Sequence, residues 1–135
     1  MKNKQKLRKS VNEIINFTKI NNIKLALATS TTINNGEAGF KSVSDQISNE
    51  DFHYIGNRSL VKNEKPNPEI YKLTLEKLNL EPDNCLAIED TEESSKSAVS
   101  AGIKCIGFPV DYHSDDSFEM CIKKVKILDQ SLFSL

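Results

Sequence analysis

Two carboxylates stand side by side at Glu89 and Asp90, where the apolar run LAI gives way to TEESSKSAVSAG. Adjacent negative charges repel and persist only beside a cation. Paired hard oxygen donors suit Mg2+, an ion often shared with a phosphate. Two further polar groups occupy comparable positions. Thr29, Ser30 and Thr31 follow the apolar run KLALA with hydroxyls able to donate hydrogen bonds to an anionic oxygen. Lys65 precedes Pro66 and a helix start at Asn67-Pro68, so its ammonium is carried toward a helix N-terminus. Each group also has a plainer explanation. Hydroxyls at strand ends commonly cap the next helix, lysines are mostly exposed, and acidic residues suit the first turn of a helix. Taken together, hydroxyls, an ammonium and paired carboxylates could serve an anionic ligand and a metal ion.

The elements that must position these groups read as alternating helices and strands. Leu7, Val11, Ile14 and Ile15 recur at helical spacing and predict an amphipathic helix over 7–20. IKLALAT (23–29) is a nearly continuous apolar run, as expected for a strand covered on both faces. Residues 30–51 read as a loop with a weak helix near 40–47, and FHYIG (52–56) as a short strand. Asn67 and Pro68 form a strong helix start, with Asn as N-cap and Pro at the first helical position. Tyr71, Leu75 and Leu78 make that helix's inner stripe, Asn79 can close it in a left-handed conformation, and Pro82 bars its continuation. CLAI (85–88) follows as a strand, then a helix over about 91–101 stopped by Gly102, a strand IKCIGF (103–108) and a short last strand KVKIL (124–128). Strands alternating with helices imply parallel crossovers in one α/β sheet with flanking helices. In such sheets ligands bind beyond the carboxyl ends of the strands, where Thr29, Glu89 and Asp90 fall. No repeat or linker divides the chain, so 1–135 reads as a single domain.

Bulk properties exclude several classes of function. Eighteen basic against nineteen acidic residues leave a net charge of −1, so no overall field argues for nucleic acid or an anionic membrane. The basic opening KNKQKLRK fits the solvated first turns of a helix. No run approaches the length of a membrane span and no signal segment is visible, which makes a cytoplasmic protein the expectation. Cys85, Cys105 and Cys121 are odd in number and lack CxxC spacing, so neither a disulfide framework nor a zinc site is expected.

Hydroxyl cluster, lysine and acidic pair, in this order, resemble the haloacid-dehalogenase-like superfamily, in particular its phosphatase and β-phosphoglucomutase-like branch. IKLALATST is similar to that family's second motif, KNEKPNPEIY to its third and LAIEDTEESSKSAVSAG to its fourth. The resemblance runs over about residues 10–110. Bacterial receiver domains use a similar set of groups, but there the acidic residues come first. The resemblance implies a Rossmann-like parallel sheet and phosphoryl transfer from a small phosphorylated metabolite, of sugar phosphate or phosphoglycolate type. It implies that Thr29 binds a phosphoryl oxygen with Ser30 and Thr31 as neighbours. It also implies that Lys65 neutralises charge on the transferring group and that Asp90, assisted by Glu89, holds Mg2+. Ser94 departs from the family, whose members usually carry Gly at the opening of the fourth-motif helix.

The covalent half of the chemistry is not in these residues. The family's nucleophile is an Asp in a DxD pattern at the end of a central strand, and no DxD occurs in the 135 residues. Asp111 follows an apolar stretch, but His occupies position 113 and the run already matches the strand after the fourth motif. The resemblance therefore implies an incomplete core that begins where the cap domain would have ended and lacks the central nucleophile strand. Two apolar edges would then be exposed, to be filled by a separate N-terminal segment, closed by self-association or left as an aggregation hazard. Two functions follow from this. The chain is the C-terminal core of a Mg2+-dependent phosphatase or phosphomutase, inactive alone, or it is a non-catalytic remnant that retains phosphate or Mg2+ binding.

Overall fold

A computed structural model describes residues 2–28, 52–109 and 116–134. Thr29, Ser30, Thr31, the expected weak helix near 40–47 and Asp111 lie outside the described residues. Helix α1 (Lys2–Ile20) extends the expected helix by a little over a turn at its N-terminal end. Then come β1 (Ala26–Ala28), β2 (Tyr54–Gly56), α2 (Glu69–Leu78), β3 (Leu86–Glu89), α3 (Glu92–Ser100), β4 (Lys104–Gly107) and β5 (Lys123–Lys124), with single 3-10 turns between and after them.

Local chemistry sets most of the helix ends. Asn79 adopts the left-handed conformation (φ 56°, ψ 48°) that closes α2, and Lys24 adds a side-chain cap by donating to the Leu78 carbonyl at 2.7 Å. At the start of α2 the sequence expectation shifts by one residue. Pro68 occupies the cap position and makes no side-chain cap bond, while Asn67 Oδ1 accepts the Glu69 N–H at 3.0 Å. Thr91 caps α3 by accepting the Ser94 N–H at 3.1 Å, so serine opens this helix adequately. Gly102, at φ 86°, leads the chain out of α3 in a conformation that costs glycine little.

All strand pairs are parallel, yet the strands divide into two ladders. Among the described residues β1 pairs only with β2, and β4 lies between β3 and β5. Among the described residues β1 and β3 share no ladder, so each keeps one edge without a strand neighbour. This is the arrangement expected for an α/β core whose central strand is not in the chain. The last ladder is shorter than expected: β5 covers Lys123–Lys124 rather than 124–128, because Val125 and Leu128 turn into the core instead of continuing the ladder.

Two apolar clusters cover the two faces of the β3–β4 ladder. On one face α2 and α3 contribute Ile70, Tyr71 and Ala98, which pack on Ala87 and Cys105 of the strands. On the other, Ile14 of α1 and Leu132 of the final turn pack on Ile106, with Val125 and Leu128. Ile106 and Cys105, adjacent on β4, are both wholly inaccessible to solvent because they face opposite layers. Full burial of an aliphatic side chain such as Ile106 contributes about 1.5–3 kcal/mol.

Close packing at the carboxyl end of β4 leaves no room for a side chain. A Cβ added at Gly107 would sit 2.5 Å from the Phe118 ring, and that ring is itself buried, on a residue with φ 54°. Gly107→Ala is expected to cost about 1–3 kcal/mol through overpacking. Urea denaturation checks this, and a loss below about 0.5 kcal/mol, ordinary for a surface change, would show that the Phe118 segment is not held there.

Candidate functional site

The site forms where the carboxyl ends of β1 and β3 approach, and Lys65 is the residue that reaches both. The lysine lies in the turn before α2, and the Lys65–Pro66 peptide bond is cis. This turn is tied down at several points. Glu69 accepts the Lys62 and Asn63 N–H groups at 2.6 and 3.1 Å, the Asn67 N–H donates to the Glu64 carbonyl at 3.0 Å, and the wholly buried Ser97 of α3 donates its hydroxyl to the Asn67 carbonyl at 2.7 Å. Held in this way, Lys65 Nζ donates to the Ala28 carbonyl at 3.0 Å and to Glu89 Oε2 at 2.6 Å. Its side chain is only 6% exposed, so the surface-lysine explanation does not hold.

Glu89 and Asp90 lie in different surroundings. Glu89 is buried on the face that receives Lys65, and Tyr71 of α2 also donates its hydroxyl to Glu89 Oε2. Lys65 lies 5.6 Å from the centre of the Tyr71 ring, close enough for a cation–π contribution. Asp90, the next residue, is exposed. The cation that answers the repulsion within the doublet is therefore Lys65, and it is bound by Glu89. The hydroxyls of residues 29–31 fall outside the described residues, although the carbonyl just before them, that of Ala28, is the one Lys65 holds.

Burial is the dominant influence on Glu89 and raises its carboxyl above the ordinary value. Lys65, by charge and hydrogen bond, and the Tyr71 hydroxyl pull it back down, while the charge of Asp90 raises it further. Burial first, and then Glu89, hold the Tyr71 phenol well above its usual range. Tyr71 therefore stays a donor at any ordinary pH.

Sequence reasoning placed Tyr71 in the apolar stripe of its helix and missed its hydroxyl bond. The available signal was general: a buried tyrosine usually finds a partner for its O–H. It also missed Asp116, whose carboxylate accepts the Glu92 N–H at the start of α3 at 3.2 Å. Among the described residues no three His, Cys, Asp or Glu side chains gather into a metal-binding group. Asp90 is an exposed hard-oxygen donor and suits Mg2+ in type, but it would supply one ligand of a larger set.

Two predictions follow from the buried ion pair. Removing Lys65 strands a buried carboxylate, so Lys65→Met is expected to lose about 3–5 kcal/mol, and Glu89→Gln less, because burial makes the ionised form of Glu89 costly. The double variant should lose less than the sum by at least about 1 kcal/mol, because the residues touch. Urea denaturation of the four proteins measures this coupling, and strict additivity would mean the pair is not formed. The pH dependence has an unusual sign for a carboxylate. Since the folded chain holds the Glu89 proton more tightly than the unfolded chain, this group's contribution to stability is complete below the unfolded pKa and is lost as pH rises through the folded one. The stability difference between the parent protein and Glu89→Gln should thus fall as pH is raised from about 4.3, and a difference that grows with pH over that range would contradict the burial argument.

This geometry agrees with comparison to known proteins. The family model described as haloacid dehalogenase-like hydrolase matches residues 1–108. The protein CbbY of Cereibacter sphaeroides is 33% identical over 112 residues, which is 83% of this chain and 49% of that protein. A phosphorylated carbohydrates phosphatase of Thermotoga maritima is 41% identical over 96 residues, 71% of this chain and 43% of that one. Among solved structures, a mutant CbbY from Rhodobacter sphaeroides in complex with xylulose-(1,5)bisphosphate superposes with a TM-score of 0.79 at 30% identity, over 87% of this chain and 52% of that chain. A putative β-phosphoglucomutase from Thermotoga maritima gives 0.75 at 31% identity, over 96% and 57%. The chain spans about half the length of the curated relatives it matches. With its motifs in order and its fold matched, this chain belongs to the haloacid dehalogenase-like hydrolase family.

Proposed function

We propose that this chain supplies the charge-neutralising half of a Mg2+-dependent phosphatase or phosphomutase acting on a small phosphate ester, of sugar phosphate or phosphoglycolate type, and that it is inactive alone. The observation that carries this reading is the position of Lys65 Nζ, between the Ala28 carbonyl at 3.0 Å and Glu89 at 2.6 Å, at the carboxyl ends of two strands that do not pair. A buried ammonium there faces the position at which a strand inserted between β1 and β3 would end. Relatives described as a phosphorylated carbohydrates phosphatase and as CbbY bound to a sugar bisphosphate support the substrate class.

Phosphoryl transfer depends chiefly on positioning and on charge stabilisation. Lys65 would neutralise the developing charge on the transferring group and on an incoming carboxylate. Glu89 and Tyr71 would hold that ammonium in place, so that little reorganisation is needed during the reaction. Thr29, with Ser30 and Thr31, would donate hydrogen bonds to the phosphoryl oxygens. Asp90 would hold Mg2+, with Glu89 as its neighbour on β3, the remaining ligands coming from phosphate, water or another segment. When bound, the ion supplies further positive charge beside the phosphate. The nucleophilic carboxylate would come from a separate N-terminal segment occupying the gap between β1 and β3, in the cytoplasm.

Complementation tests this reading. The chain with Mg2+ and small sugar phosphates should release phosphate only at background. Adding the part of the Thermotoga maritima relative that this chain does not match should restore release. Lys65→Met and Asp90→Asn should each abolish the restored activity by at least about a hundredfold, the scale on which single charge-stabilising groups act. Background activity in a complex shown by sedimentation to have formed would refute the catalytic reading. Calorimetric binding of phosphate by the same chain, blocked by Lys65→Met, would then favour a non-catalytic binding module.

A further inference from the structure

Three cysteines lie in the described part of the chain, and none is cross-linked. They differ in their surroundings. Cys105 sits in β4 with no solvent exposure. Cys121 is half-buried and packs against the same apolar cluster as Cys105, on the α2–α3 face. The Ile122 N–H donates to the Cys105 carbonyl at 2.9 Å, which lays the stretch around Cys121 directly beside β4. Neighbouring strands are about 4.8 Å apart and one residue of offset adds about 3.3 Å. The Cα atoms of Cys105 and Cys121 should thus be on the order of 6 Å apart, inside the range of about 4.4–6.8 Å that a disulfide spans.

Cys85 does not fit this geometry. It precedes Leu86, whose partner is Lys104, so it lies two residues out of step with Cys105. That offset separates their Cα atoms by about 8 Å, beyond the reach of a disulfide without backbone movement. The plain alternative for all three is that they fill core space, since free cysteine behaves as a small apolar side chain. It accounts for Cys105 taken singly. It does not account for a second thiol, open to solvent on one side, placed against the first.

We propose that Cys105 and Cys121 are a redox-modifiable pair, closed to a disulfide by a hydroperoxide. Peroxide reaches the half-buried Cys121 and oxidises its thiol to a sulfenic acid, with one water released. The Cys105 sulfur then attacks the Cys121 sulfur and the S–O bond breaks. The departing hydroxyl takes up the Cys105 proton as a second water, so one peroxide is reduced for one disulfide formed. Burial pushes the Cys105 thiol up, which keeps it from being the first to react. The cross-link would tie β4 to the segment before β5. Cys105 lies opposite Ala87, two residues before Glu89 on β3, so the link forms directly beneath the ion pair.

The test uses the native full chain, treated with hydrogen peroxide, blocked with N-ethylmaleimide without reduction, digested and mapped by mass spectrometry. The expected product is a Cys105–Cys121 linked peptide, two hydrogens lighter than its parts and reversed by dithiothreitol, with Cys85 carrying the maleimide. Cys121→Ser, with an unchanged circular dichroism spectrum, should lose the linked peptide. Closure should be at least about tenfold faster in the native chain than in urea, because the fold raises the effective concentration of one thiol at the other. Three results would each overturn the proposal: Cys121 driven to sulfinic acid with Cys105 unlinked, a link that uses Cys85, or equal rates in native and unfolded chains.

Discussion

A buried ammonium must be neutralised, and here that requirement ties together parts of the fold that share no backbone ladder. Lys65 takes one partner from the carboxyl end of β1 and another from the carboxyl end of β3. Among the described residues backbone pairing joins β1 only to β2 and β3 only to β4, so there the two ladders meet through a side chain. Helices α2 and α3 reinforce the join. Tyr71 of α2 completes the coordination of Glu89, and Ser97 of α3 fixes the turn that carries the lysine. A buried ion pair of this kind is weak evidence of net stabilisation, because desolvation offsets the attraction. In the proposed function its contribution is to fix position, which charge stabilisation of a phosphoryl group requires.

Much of this was legible in the chain because helix ends are governed by local chemistry. Asn79 and Gly102 adopt positive φ where the sequence calls for it, and Thr91 caps its helix. The alternation of helices and strands, together with three motifs in order, was enough to identify the fold and to foresee a gap in the sheet. Lys65 and Glu89 were both singled out, but not as partners. Whether two polar residues 24 positions apart meet is decided by how the turn before α2 folds onto β3, and no local pattern encodes it.

The acidic doublet shows the limit of reading a strand end. Adjacent strand residues point to opposite faces, and a loop beginning at Glu89 would leave both carboxylates able to turn to one side. Instead the alternation of a strand persists through Glu89, which stays in the ladder opposite Gly107, and Asp90 is the first residue to leave it. The two charges thus fall in different environments, one dry and one wet. Tyr71 was hidden for a similar reason, because a tyrosine in an apolar stripe satisfies the helical pattern whatever its hydroxyl does. The length of β5 was overestimated because KVKIL reads as an apolar strand, whereas Val125 and Leu128 serve the packing beneath α1.

The carboxylate of Asp116 has a consequence for how an anion can be held. It sits on the Glu92 N–H, at the positive pole of α3, while Thr91 occupies the neighbouring Ser94 N–H. In many α/β proteins that pole is where a phosphate docks. Here an internal anion already competes for it, and an arriving phosphate would have to displace a tethered carboxylate of like charge. The helix thereby favours its own side chain over a guest.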